Sequence, residues 1–189
     1  MCKAVSMTRI IAGSAKGTPL RVPPKGTRPT SSMAREAVFS HLDALDALHA
    51  QAQVLDLFAG TGALGLEALS RGVKHATLVD SASQAVALCK KNASLCGFTE
   101  KTTVVGMPVA TFLTKNLQDF DIVFIDPPYD FPPHTLTDIL DQLLPRLSSE
   151  ASVVVESAKR AGPPVFPSGF EVYRSKAYGD TLLTFAYPL

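Results

Sequence analysis

Between Val54 and Val155 the chain alternates short apolar runs with segments of helical periodicity, and this alternation restricts the possible folds more than any other feature. Residues 54–58, 76–79, 102–105, 122–125 and 152–155 read as buried strands, and residues 64–71, 83–95, 109–117 and 136–147 as helices. Gly97 is placed to close the second of these helices. A strand that returns through a helix pairs parallel to its predecessor, so the expected core is a parallel sheet with helices on both faces. The tail departs from the pattern. Residues 171–177 and 181–187 flank Tyr178-Gly179-Asp180 and read as an antiparallel pair at the sheet edge, which brings the strand count to seven. Ahead of the sheet, residues 8–13 and 16–22 are β-prone and split by Gly13-Ser14-Ala15, a small N-terminal β-hairpin. A loop follows at Pro23, Pro24, Gly26 and Pro29. A helix then starts at a capping Ser32 and runs to about Ala50, its apolar face built from Met33, Ala37, Phe39, Leu42 and Leu45.

A length of 189 residues, 46% of them hydrophobic, supports one sizeable core. Cys2, Cys89 and Cys96 form no C-x-x-C pair, so neither a disulfide framework nor a zinc site is indicated. His41, His49, His75 and His134 are scattered, and no metal is expected. No apolar stretch has the length of a signal peptide or a membrane span, so a cytoplasmic protein without a membrane partner, a monomer by default, is expected. Charge is uneven along the chain. Residues 1–36 carry seven basic side chains against Glu36 alone, a net +6, which leaves −5 over the other 153 residues. Such a basic segment attracts phosphates without reading sequence, which points to nucleic acid.

The first central strand runs into Asp56-Leu57-Phe58-Ala59-Gly60-Thr61-Gly62-Ala63-Leu64-Gly65, where Gly60, Gly62 and Gly65 satisfy G-x-G-x-x-G. Ligands of open α/β sheets bind outside the carboxyl ends of the strands, where this turn lies. Asp80 ends the next strand, placed to accept hydrogen bonds from ribose hydroxyls. These features suit NAD as well as S-adenosylmethionine. Asp56 favours the second, because a carboxylate there repels a pyrophosphate and pairs with the amino group of a methionine moiety.

A third strand end carries Asp126-Pro127-Pro128-Tyr129. An exocyclic base amine is a poor nucleophile, because its lone pair is delocalised into the ring. Acceptors such as the Asp126 carboxylate and the Pro127 carbonyl, bonded to its N–H groups, localise that pair and aim it at an electrophilic methyl group. Two prolines fix the backbone and leave carbonyls without partner amides, and Tyr129 can stack on an extruded base. Rival readings are a DNA adenine-N6 methyltransferase, for which the chain lacks a target-recognition domain, and an NAD-binding oxidoreductase.

With Arg9-Ile10-Ile11-Ala12-Gly13, Arg28-Pro29-Thr30, Arg35-Glu36, the glycine turn, Asp126 to Tyr129 and Tyr178-Gly179-Asp180-Thr181 in this order, the sequence resembles the RsmD family of 16S ribosomal RNA guanine-N2 methyltransferases. The match spans about residues 8–187 and suggests Met7 as the usual start. The resemblance implies a Rossmann-like class I methyltransferase domain over residues 32–189, with a basic, RNA-facing extension and hairpin over residues 1–31. It implies S-adenosylmethionine as cofactor and, as target, N2 of one guanine, position 966 of 16S ribosomal RNA in the small subunit. Carried over by motif, Asp56, Phe58, Ala59, Gly60, Thr61, Gly62, Asp80, Ser81 and Met107 bind the cofactor. Asp126, Pro127, Pro128 and Tyr129 receive the guanine, and Arg9, Lys16, Arg21, Arg28, Thr30 and Arg35 face RNA. Two departures stand out. Pro108 replaces the family's frequent Asp or Asn beside adenine, and Ser31-Ser32-Met33 replaces a usual Thr-Asp-Arg.

Overall fold

Alternate side chains of the central strands divide between two apolar layers. In β3 (Gln53–Leu57), Val54 joins the layer of Phe39 and Leu66, whereas Leu55 and Leu57 join that of Ile139 and Leu140. The computed structural model describes residues 8–23, 32–128 and 130–189. Seven strands form one sheet in the order β5-β4-β3-β6-β7-β9-β8: β4 (His75–Asp80), β5 (Thr102–Gly106), β6 (Phe120–Ile125), β7 (Leu147–Ala158), β8 (Phe170–Tyr178) and β9 (Thr181–Pro188) surround β3. The pairings from β5 to β7 are parallel, and β9 pairs antiparallel with both β7 and β8. The mostly parallel sheet and its antiparallel edge are as the sequence implies. Helices α1 (Ser32–Ala44), α2 (Ala63–Ser70) and α3 (Ser83–Leu95) contribute Phe39, Leu66 and Cys89 to one layer. Helices α4 (Val109–Lys115) and α5 (Pro133–Leu143) contribute Phe112 and Ile139 to the other.

The chain lays down β3, β4 and β5 in one direction and then returns to add β6 on the opposite side of β3. The connections leaving β3 and β6 therefore diverge, opening a crevice between their carboxyl ends.

Some elements differ from expectation. Helix α1 ends at Ala44, short of Ala50, because Asp46 turns left-handed (φ 54°) and the Ala47 amide donates back to the Leu42 carbonyl at 3.0 Å. Helix α5 ends at Leu143; a 3-10 turn over Leu144–Arg146 follows, and Leu147 opens β7 instead of closing the helix. The hairpin strands β1 (Thr8–Arg9) and β2 (Pro19–Leu20) are two residues each, far shorter than the β-prone runs. Most of the turn between them is fixed by docking on α2. The Glu67 carboxylate, fully buried, accepts from the amides of Ile11 (2.7 Å) and Ala12 (2.9 Å). Ser70 Oγ donates to the Ala12 carbonyl (2.5 Å) and accepts from the Ala15 amide (3.0 Å). Gly13 (φ 83°) passes so close that a Cβ would stand 1.8 Å from the Ser70 carbonyl oxygen. Among the described residues no helix is long and apolar enough to cross a membrane.

Candidate active site

A cleft of about 770 Å³ opens where β4, β3 and β6 end. Each of these three neighbouring strands delivers a carboxylate to it, Asp80, Asp56 and Asp126 respectively. Asp130 and Glu156 line it too, whereas Arg35 is the one cationic side chain among its described lining residues. An acidic cleft favours a cationic ligand and disfavours a pyrophosphate.

Parity places Asp56 on the α2 side of β3, in the same layer as Val54, so a carboxylate stands where an apolar residue is the rule. It is 2% exposed, and its Oδ2 accepts from the Gly65 amide at 3.0 Å. Burial pushes its pKa up to about 7; the Gly65 bond opposes the shift and Asp80 adds to it. The third glycine of the motif serves packing, since a Cβ on Gly65 would meet Leu78 at 2.3 Å. Asp80 holds the turn itself. Its Oδ2 accepts from the Gly60 amide (2.9 Å) and its Oδ1 from the Ala82 amide (2.9 Å). Each oxygen keeps a second lone pair for a ligand hydroxyl. Phe58 turns left-handed at φ 63°, a conformation that costs a bulky residue about 1–3 kcal/mol and clusters at ligand sites. Its ring meets that of Phe131 edge-on, 5.1 Å between centroids. The glycine turn is thereby braced against the opposite wall.

That wall is built from Asp126, Pro127, Pro128, Asp130 and Phe131. The Asp126 amide donates to the Leu57 carbonyl (3.4 Å), and the Phe131 amide donates to the Pro128 carbonyl (2.9 Å), closing a turn. Asp126, Pro127 and Pro128 all line the cleft.

Of the expected cofactor residues, Asp56, Phe58, Ala59, Gly60, Thr61, Asp80 and Ser81 line the cleft together. Gly62 and Met107 lie outside the lining. Gly62 (φ 76°) caps α2, where a Cβ would stand 2.9 Å from Leu78, and Met107 packs against the α4–α5 layer. Arg9, Lys16 and Arg21 are exposed on and after the hairpin. Arg35, expected to face RNA, is 2% exposed, lines the cleft from within, and donates from Nη2 to the Arg9 carbonyl at 2.8 Å. Arg28, Thr30 and Tyr129 lie outside the described residues.

Three buried polar residues that shape the cleft's surroundings have no motif in the sequence. Glu67, Ser70 and Asn92 are buried at 0%, 3% and 0% exposure and bind backbone far away in the chain. The one available signal is a polar side chain on an otherwise apolar helix face. Among the described residues no cluster of three or more His, Cys, Asp or Glu is arranged to hold a metal ion. Cys89, fully buried with its thiol against the Gly60 carbonyl (3.4 Å), has its pKa raised by burial and by Asp56 and Asp80, which leaves it unreactive.

A parallel sheet with an antiparallel edge, a glycine turn and an acidic crevice at the switch point together define a Rossmann-like methyltransferase. A family profile described as conserved hypothetical protein 95 matches residues 8–187. Ribosomal RNA small subunit methyltransferase D of Escherichia coli K12 is 38% identical over 91% of this chain and 85% of its own length. Its namesake from Haemophilus influenzae is 34% identical over 90% and 89%. The solved structure of yhhF from Escherichia coli superposes with a TM-score of 0.84 at 32% identity, covering 97% of this chain and 98% of that one. The chain belongs to the RsmD family of S-adenosylmethionine-dependent methyltransferases.

Proposed function

We propose that this protein methylates the exocyclic N2 of a guanine in 16S ribosomal RNA, guanine 966 by its family resemblance, acting in the cytoplasm as a monomer on the small ribosomal subunit. The observation that carries the reading is the convergence of Asp80, Asp56 and Asp126 from adjacent strands on one cleft. S-adenosylmethionine fits this donor set: it brings a sulfonium and an ammonium into a lining of five carboxylates, and when bound it supplies the electrophilic methyl group. In this reading the Asp56 carboxylate faces the ammonium and Asp80 accepts from the ribose hydroxyls, with the glycine turn passing close to the ligand.

Opposite, the Asp126 carboxylate and the Pro127 carbonyl accept from the guanine N2 amino group, which localises its lone pair toward the methyl donor. The bound cofactor would supply the methyl group to N2 in exchange for the N2 proton, which Asp126 or water would take up. Tyr129 has the ring to stack on the base. Exposed Arg9, Lys16 and Arg21, with Arg28 and Thr30, contact RNA. Residues 1–31 then form the RNA-facing part and residues 32–189 the catalytic domain. The names of the Escherichia coli and Haemophilus influenzae relatives support a small-subunit RNA target.

Mass mapping of 16S ribosomal RNA from cells lacking the protein tests this directly. A single guanine should lose its methyl mark and regain it on complementation. Unchanged ribosomal RNA, or methylation of duplex DNA adenine by the purified protein, would overturn the assignment.

A further inference from the structure

Asn92 is a fully buried amide on the α3 face that also carries Cys89 and Ala93. Its Oδ1 accepts from the Arg21 amide at 2.8 Å, and its Nδ2 donates to the Arg21 carbonyl at 3.0 Å and to the Thr61 carbonyl at 2.9 Å. One side chain thus grips both backbone groups of the residue that leaves the hairpin and, with the same nitrogen, the glycine turn. Both ends of this bridge reach the cleft. Thr61 lines it on the cofactor side, and Val22 and Pro23, which follow Arg21, line it on the hairpin side. Glu67 and Ser70 also anchor the hairpin, but their side-chain bonds to it run to residues 11, 12 and 15 and none touches the glycine turn.

We infer that Asn92 is a positioning residue that couples cofactor binding to the placement of the RNA-facing N-terminal segment. The inference rests on the function proposed above. The turn has reason to respond to a ligand: the Gly60 amide is held by Asp80, the same carboxylate that would receive the ribose hydroxyls, and Phe58, Gly60 and Gly62 all carry positive φ. A shift of the Thr61 carbonyl changes its bond to Nδ2, and the amide passes that change to Arg21. Only a carboxamide serves here, because the position needs one acceptor and two donated N–H bonds. An aspartate would turn acceptor oxygens toward two carbonyls, and alanine would leave three backbone groups without partners.

The test is the affinity of a 16S ribosomal RNA fragment for the full chain, with and without saturating S-adenosylhomocysteine. In the wild type the product should tighten RNA binding by about fivefold or more, the lower end of ordinary coupling between sites. In Asn92→Asp and Asn92→Ala the ratio should fall below about twofold. A second measurement needs no variant. Hydrogen exchange of the wild-type Arg21 amide should slow on adding S-adenosylhomocysteine, while the Ile11 and Ala12 amides held by Glu67 keep their rates. Variants that retain the wild-type ratio, or an Arg21 amide indifferent to the ligand, overturn the coupling. A merely structural asparagine would lower the melting temperature and leave the ratio intact. Failure of the wild type to bind S-adenosylhomocysteine at all would instead strike the proposed function.

Discussion

The two walls of the cleft are stiffened by different means. The wall that carries the glycine turn is bonded to itself through carboxylates, with Asp56 on the Gly65 amide and Asp80 on the amides of Gly60 and Ala82. The opposite wall, which holds Asp126, Pro127, Pro128 and Phe131, takes its rigidity from two successive prolines, the Phe131 amide bonded to the Pro128 carbonyl and the Phe131 ring against Phe58. On the first wall the same atoms build the site and would hold the ligand. On the second, shape comes from covalent geometry, and removing a functional group need not collapse the loop.

That contrast can be broken by substitution, and the largest effect belongs to the second wall. Asp126→Ala should lower methyl transfer by about a hundredfold to a thousandfold, the usual cost of losing a transition-state hydrogen-bonding group, while calorimetry finds cofactor affinity within a few-fold of wild type. Retained turnover would remove Asp126 from the chemistry. Next, Asp80→Ala should weaken cofactor binding by about tenfold to a hundredfold, since it deletes an ionic acceptor for the ribose and the anchor of the Gly60 amide together. An unchanged dissociation constant would show that Asp80 only holds the turn.

Acidity gives a smaller, graded effect. With its pKa near 7, Asp56 must lose a proton before it can face an ammonium. Cofactor affinity should therefore weaken by up to about tenfold per pH unit below that value and level off above it, as titration calorimetry across buffers can follow. Folding stability of the ligand-free protein should move the other way. The folded state binds a proton that the unfolded chain, with an ordinary carboxyl pKa of 3.8, has released, so stability is highest at the acid side and falls as pH rises from about 4 to about 7. A flat profile in both measurements would take Asp56 out of the binding site. Smallest of all, Phe131→Ala removes the edge-on contact with Phe58, worth about 0.5–1.5 kcal/mol beyond the area it buries. A few-fold loss of kcat at unchanged cofactor affinity would mark the ring as a brace for the second wall; an equal change in both would mean that the walls move as one.

Much of this architecture is legible in the residues. Helix α3 falls on Ser83–Leu95 as its periodicity implies, and the three acidic strand ends are visible because each interrupts an apolar run. The periodicity carries helix α1 past its end because nothing local marks Asp46 for a left-handed turn, and the apolar spacing at Leu147 fits a helix as well as a strand. In the sequence Arg35 is one cation of a basic segment, with nothing local to mark it as buried. Its burial follows from β1 lying across it, a contact between residues 26 positions apart.

The sequence by itself determined the alternation of strands and helices, the carboxylates at the strand ends and the proline-stiffened loop. Each depends on residue type and near-neighbour spacing, through side-chain period, backbone freedom and charge. Only the tertiary structure decided which polar side chains fasten the hairpin to helices α2 and α3 and which glycines are held by close packing. Glu67, Ser70 and Asn92 satisfy backbone groups more than fifty positions away, and a backbone amide in need of a partner has no signature in the amino-acid code.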